Sequence, residues 1–256
     1  MDFIKNEYRI FLTAVMFYTR IRVPARLEYK PEYLNKATRY FPVIGWITGT
    51  TAGAVFLAAN YIFPLQVSVC LSMAATILLT GAFHEDGFAD FCDGFGGGWT
   101  REKILEIMKD SRIGTYGAIV LILILLMKFF LIAGMPVEKI PFVLIFAHTL
   151  SRFVAGSFVY THQYARADET SKIKPIAKGM SGASIIVAGI LGLAPAFLPG
   201  NLLLLLSAIP LLIGRVFLGR FFTKWLGGYT GDCLGAVQQI SEIIIYLSCF
   251  VIWKFI

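Results

Sequence analysis

The chain has 256 residues, 57% of them hydrophobic and 15% charged, with a mean hydropathy of +0.71. A soluble domain carries about a quarter charged residues, so these values exclude an ordinary soluble enzyme. The formal net charge of +7 would suit nucleic acid, but in so apolar a chain basic side chains mark one membrane face, and nucleic acid is not an expected partner.

The apolar residues fall in blocks that reach the roughly 20 residues a helix needs to cross the hydrocarbon core. They do not alternate as in a transmembrane barrel. The expected fold is therefore all-α, a polytopic integral membrane helical bundle in which each helix satisfies its own backbone polar groups. Cys70, Cys92, Cys233 and Cys249 have no CxxC or zinc-type spacing and read as small apolar residues.

Residues 1–39 carry eight Lys and Arg around a short apolar piece near Ile10 to Tyr18. Thr19-Arg20-Ile21-Arg22 is a poor signal-peptide cleavage site, so an amphipathic helix at the cytoplasmic interface is expected there. About seven spans follow, at roughly 41–63, 65–83, 115–134, 141–160, 183–199, 201–221 and 233–253. Long polar loops at 84–114 and 161–182 alternate with short turns.

The basic residues separate by side. The N-terminal segment, Arg101, Lys103, Lys109 and Arg112 of the first long loop, Arg166, Lys172, Lys174 and Lys178 of the second, and Arg215, Arg220 and Lys224 fall together. Lys128, Lys139 and Lys254 fall opposite, and Arg152 sits inside a span. The positive-inside rule then puts the N-terminus, both long loops and 222–232 in the cytoplasm. With no linker, low-complexity tract or internal repeat, 1–256 reads as a single membrane domain.

The densest polar stretch is His84-Glu85-Asp86-Gly87-Phe88-Ala89-Asp90-Phe91-Cys92-Asp93-Gly94, with Gly96-Gly97-Gly98 after it. If it continues the second span as a helix, Asp86, Asp90 and Asp93 share one face. Three such carboxylates repel unless a cation or basic groups offset them, and an oxygen-rich cluster suits Mg²⁺ or Mn²⁺ better than zinc. Asp86 and Asp90 are thus catalytic candidates, and Asp86, Asp90, Asp93 and Glu85 are metal-ligand candidates. His84 beside them is a candidate base. The glycines weaken the helix near Gly94 and allow close approach to a phosphate.

A second polar group, Gly227-Gly228-Tyr229-Thr230-Gly231-Asp232, precedes the seventh span on the same side. Asp232 there is either a further metal ligand or a helix N-cap, with Thr230 and Gly231 as substrate contacts. Glu242, about 15 Å further along that helix, needs a partner in the membrane, and Arg152 is the natural one; each is also a candidate substrate contact. Arg112 and Gly114 open the third span, where a guanidinium and backbone N–H groups make an anion site.

These three motifs, in order and together with Arg39-Tyr40-Phe41-Pro42-Val43-Ile44-Gly45, resemble the cobalamin synthase family, the adenosylcobinamide-GDP ribazoletransferases. Phe88 stands where that family usually has Leu. The resemblance implies an inner-membrane, multi-pass, Mg²⁺-dependent transferase with its site facing the cytoplasm. Such enzymes join adenosylcobinamide-GDP to α-ribazole or its 5′-phosphate and release GMP, with membrane lipid around them. A homo-oligomer, or association with other corrinoid-pathway enzymes, is compatible with this.

Two other readings compete. A CDP-alcohol phosphotransferase also carries an Asp-rich motif on a membrane helix, but its pattern wants Ala-Arg where Ala89 is followed by Asp90. A cation-coupled transporter would place its acids near the midplane, whereas these cluster at one edge.

Overall fold

The computed structural model describes residues 2–23, 31–166, 179–198, 200 and 202–255. Lys172, Lys174 and Lys178 lie outside the described residues. The helices are α1 (Asp2–Tyr18), α2 (Pro31–Ala37), α3 (Phe41–Asn60), α4 (Leu65–Thr80), α5 (Phe83–Gly97), α6 (Arg101–Ile107), α7 (Thr115–Ala133), α8 (Ile140–Thr161), α9 (Gly182–Leu193), α10 (Ala208–Leu226) and α11 (Gly231–Phe255). Short 3-10 turns at Thr38–Tyr40, Val137–Lys139, Ala194–Phe197 and Leu202–Ser207 lead into or out of them. The all-α membrane bundle read from the hydropathy is what forms.

Small residues decide which helices pack closest. Gly45, Gly49 and Gly53 recur every four residues along α3, so they form one stripe. A methyl group added at Gly49 would sit 2.5 Å from Ile145 Cα, and Gly45 and Gly53 abut His148, Thr149 and Pro141 in the same way. In lipid, where apolar burial drives no association between helices, such close backbone approach is what holds a pair together. Consequently α8 is the central helix, 83% buried over its apolar window, against 22% for α7 and 28% for Leu202–Leu226. The latter two present Leu, Ile and Phe outward to lipid.

Among the described residues, five helical stretches are long and apolar enough to cross a membrane: Tyr33–Asn60, Thr115–Ala133, Val137–Thr161, Leu202–Leu226 and Gly231–Phe255. The third, fourth and seventh expected spans agree with α7, α8 and α11 to within a few residues. Two others differ. α9 has 12 residues and passes into a 3-10 turn at Ala194–Phe197, because Pro195 removes a backbone donor. The expected second span does not run on into the acidic stretch: Gly81 and Ala82 both take positive φ, 67° and 57°, and the chain turns by 86° between α4 and α5. Ala82 pays a steric cost for that conformation, so the turn is held by its surroundings. The 84–94 stretch is helical, as expected, but α5 lies across the bundle rather than along it, and it runs past Gly94 to Gly97.

Candidate active site

The turn at 81–82 lays α5 over the N-terminal ends of α7 and α11. The crossing with α11 rests on paired glycines: a methyl group on Gly87 would meet Asp232 Cα at 3.2 Å, and one on Gly235 would meet Gly87 Cα at 3.2 Å. Asp232 therefore sits beside the face that carries Asp86 and Asp90. Neither of those two carboxylates has a hydrogen-bond partner among the described residues. Asp86 is exposed and Asp90 half-buried.

The charge on this face is lopsided. Desolvation, followed by the fields of Asp232, Asp86 and Asp93, pushes Asp90 up to about 7, with Arg166 pulling the other way. Like charges crowded at partial burial raise a carboxylate in this manner. Arg166 Nη2 donates to Asp232 Oδ2 at 2.7 Å.

Backbone pairing brings Arg166 there. Tyr229 N–H donates to Gln163 O at 2.9 Å and Ala165 N–H to Tyr229 O at 2.8 Å. Arg101 then fastens both loops, donating from Nε to Leu226 O and from Nη2 to Ala165 O, each at 2.8 Å.

Thr230, and not Asp232, caps α11: its Oγ1 accepts from Cys233 N–H at 3.2 Å. Asp232 instead accepts from Arg166 and, at 3.4 Å, from Thr230 Oγ1. Gly231, the first residue of α11, has open space around it.

Several expected site residues lie elsewhere. Asp93 turns to α7, accepting from Gly114 N–H on Oδ2 at 2.7 Å and from Gly117 N–H on Oδ1 at 2.8 Å. The anion site expected at Gly114 is thus filled by the protein's own carboxylate, an acid at a helix N-terminus. Arg112 donates from Nη2 to Asp110 Oδ2 at 2.6 Å in an exposed pair. His84 is 2% exposed and stacks on Phe41 with ring centroids 5.6 Å apart; it faces into the bundle, so a base role at the acidic face is not open to it. Glu85 is also buried, accepting from Gln239 Nε2 at 3.0 Å.

Glu242 and Arg152 are each 1% exposed and lie in a buried polar network below the face. Glu242 Oε2 accepts from Lys128 Nζ at 2.5 Å, while its Oε1 meets His148 Nδ1 at 2.6 Å and Arg152 Nη1 at 3.6 Å. Lys128 also donates to Gln239 Oε1 at 2.6 Å, which links the network through Gln239 to Glu85 on α5. A cavity of about 20 Å³ lined by Glu85, Lys128, His148 and Glu242 adjoins it, enough for one water. The ion-pair expectation for Arg152 and Glu242 is met only loosely, and Lys128 is the closer partner.

Sequence reasoning missed Lys128, His148, Arg101 and Arg166 as site-building residues. Lys128 had a signal, since a charge more than halfway along a span is functional or paired by default. Arg101 and Arg166 had none beyond their share in the topology count.

A metal ion fits part of this arrangement. Among the described residues no group of three His, Cys, Asp or Glu is drawn together in metal-binding geometry. Asp86 and Asp90, unpaired and short of positive charge, are nonetheless the donor type a hard divalent cation takes.

The geometry defines a polytopic helical membrane protein that gathers acidic side chains on a transverse helix, over the N-termini of two spans. The chain belongs to the Cobalamin-5-phosphate synthase family, whose profile matches residues 10–250. Relatives named adenosylcobinamide-GDP ribazoletransferase include proteins of Shewanella amazonensis, 44% identical over 99% of both chains, and of Ralstonia pickettii, 44% identical over 96% of both. Another, of Vibrio parahaemolyticus, is 42% identical over 98% of this chain and 95% of its own. No solved structure matches the chain.

Proposed function

We propose that this chain is a membrane adenosylcobinamide-GDP ribazoletransferase, joining adenosylcobinamide-GDP to α-ribazole or its 5′-phosphate with release of GMP. The observation that carries the reading is the pairing of full-length likeness to relatives of that name with Asp86, Asp90 and Asp232 meeting at one edge of the bundle. The reaction breaks the pyrophosphate of the GDP-bearing substrate. The ribazole hydroxyl attacks the phosphorus bound to cobinamide, loses its proton, and GMP leaves.

Phosphoryl transfer rests mainly on positioning and charge stabilisation. Asp86 and Asp90 would hold Mg²⁺, which when bound supplies charge neutralisation at the pyrophosphate. Arg166 balances Asp232 and keeps the start of α11 in register with α5. Gly231, half-exposed at the start of α11, is the substrate contact at that end, whereas Thr230 is buried and holds the cap. His84 is enclosed, so the proton acceptor is a carboxylate of the exposed face.

The separation of Lys and Arg supports an orientation with this face toward the cytoplasm, and the likeness to the family supports a location in the inner membrane. Cysteines introduced at Arg112 and Glu138 should be labelled from opposite sides in intact cells, Arg112→Cys only after the cytoplasm is opened. Labelling of Arg112→Cys from outside, with Glu138→Cys protected until the cytoplasm is opened, would reverse the orientation.

The direct test is purified protein in liposomes supplied with adenosylcobinamide-GDP, α-ribazole and Mg²⁺. Cobalamin and GMP should appear in equal amounts. Absence of both, where a relative named for this activity forms them, overturns the reading.

A further inference from the structure

Away from the acidic face, α8, the end of α9 and α10 enclose a groove of about 300 Å³. Its floor is Phe146, Leu150, Val154 and Ser157 of α8, all buried; its rim includes Leu205 and Leu212, which face outward to lipid. Leu205 and Ser207 of the Leu202–Ser207 turn complete its lining. From Ser157 to Phe146 is eleven residues of helix, about 16 Å, half of a hydrocarbon core about 30 Å thick. The length of the groove is therefore close to that of one leaflet's acyl layer.

One end is charged. Arg215 Nε donates to Ser157 Oγ at 2.7 Å and its Nη2 to Thr161 Oγ1 at 2.7 Å, where Thr161 is the last residue of α8. Its guanidinium also lies over the Phe158 ring, 5.1 Å from the centroid. Among the described residues no carboxylate pairs with it. A half-buried guanidinium held by neutral hydroxyls retains its full charge, and its planar fork suits a phosphate.

We propose that this groove binds one anionic phospholipid, an acyl chain lying along α8 and the phosphodiester on Arg215. The length of the groove, its sideways opening and the uncompensated cation beside the last turn of α8 together select a lipid. This site is separate from the acidic face and does not depend on the reaction proposed for it.

Native mass spectrometry of delipidated protein with added phosphatidylglycerol or phosphatidylcholine tests this. The wild-type chain should hold one phosphatidylglycerol in preference to phosphatidylcholine. Arg215→Gln should weaken that binding about tenfold, the loss of a charge-assisted contact. Ala208→Trp, which fills the groove, should abolish it, and Leu212→Trp at the rim serves the same purpose if Ala208→Trp fails to melt cooperatively. Wild-type affinity in Arg215→Gln and in a folded tryptophan variant overturns the proposal. So does occupation of the groove by α-ribazole 5′-phosphate that phosphatidylglycerol cannot displace.

Discussion

Asp93 holds the N-terminus of α7 by accepting from Gly114 N–H at 2.7 Å, with its second oxygen on Gly117 N–H. It shares a helix with Asp86 and Asp90, at a spacing that assigns all three to one set. Only the partners tell them apart.

Asp93→Ala should therefore behave as a lost cap. It should destabilise the fold by about 1–2 kcal/mol, read as a lower melting temperature in detergent, and change Mg²⁺ affinity far less than Asp86→Asn or Asp90→Asn does. Loss of cation binding with an unaltered melting temperature would return Asp93 to the ligand set.

Asp86→Asn and Asp90→Asn should show the opposite behaviour. Each should lower kcat by about 10²–10³, the scale of removing one charge-stabilising group from a transition state, with melting unchanged or raised as repulsion is relieved. Near-wild-type turnover in both would place the chemistry elsewhere.

Cation binding should depend on pH through Asp90. Its ordinary value of 3.8 is pushed up to about 7, first by desolvation and then by Asp232, Asp86 and Asp93. A folded-state value above the unfolded one means that the ionised group costs stability above pH 7. That cost is relieved as pH falls from 7 toward 4. A cation must displace the proton, so apparent Mg²⁺ affinity should fall about tenfold per pH unit below 7. Calorimetric titrations at pH 6 and pH 8 test this; equal affinities would contradict it, and Asp90→Asn should flatten the profile.

The buried network should respond to pairs rather than to single groups. Lys128→Met leaves Glu242 short of its closest cation and should cost about 3 kcal/mol. Adding Glu242→Gln should restore part of that, since the charge left behind is removed. If the double variant is as unstable as the sum of the singles, the two side chains are not coupled.

How far the sequence reaches is clear from particular residues. The spans at α7, α8 and α11 are legible because lipid imposes length and hydropathy on any helix that crosses it. The acids of 84–94 and 227–232 are legible as one site because they are the densest polar groups on one predicted side. Asp232 read equally as a metal ligand or as the cap of α11, because Asp suits both, and the hydrogen bond from Cys233 N–H to Thr230 Oγ1 gives the cap to Thr230.

What sequence alone determined is the membrane bundle and the two acidic motifs, which are properties of composition and local spacing, and the likeness of those motifs to a known family. Tertiary structure alone decided which carboxylates remain unpaired. The 86° turn at Gly81 and Ala82 sets α5 across α7 and α11, which sends Asp93 to a helix end, Glu85 into the interior and Asp86 and Asp90 to the surface. That sorting depends on what each face of α5 meets, and periodicity along one helix contains no record of its neighbours.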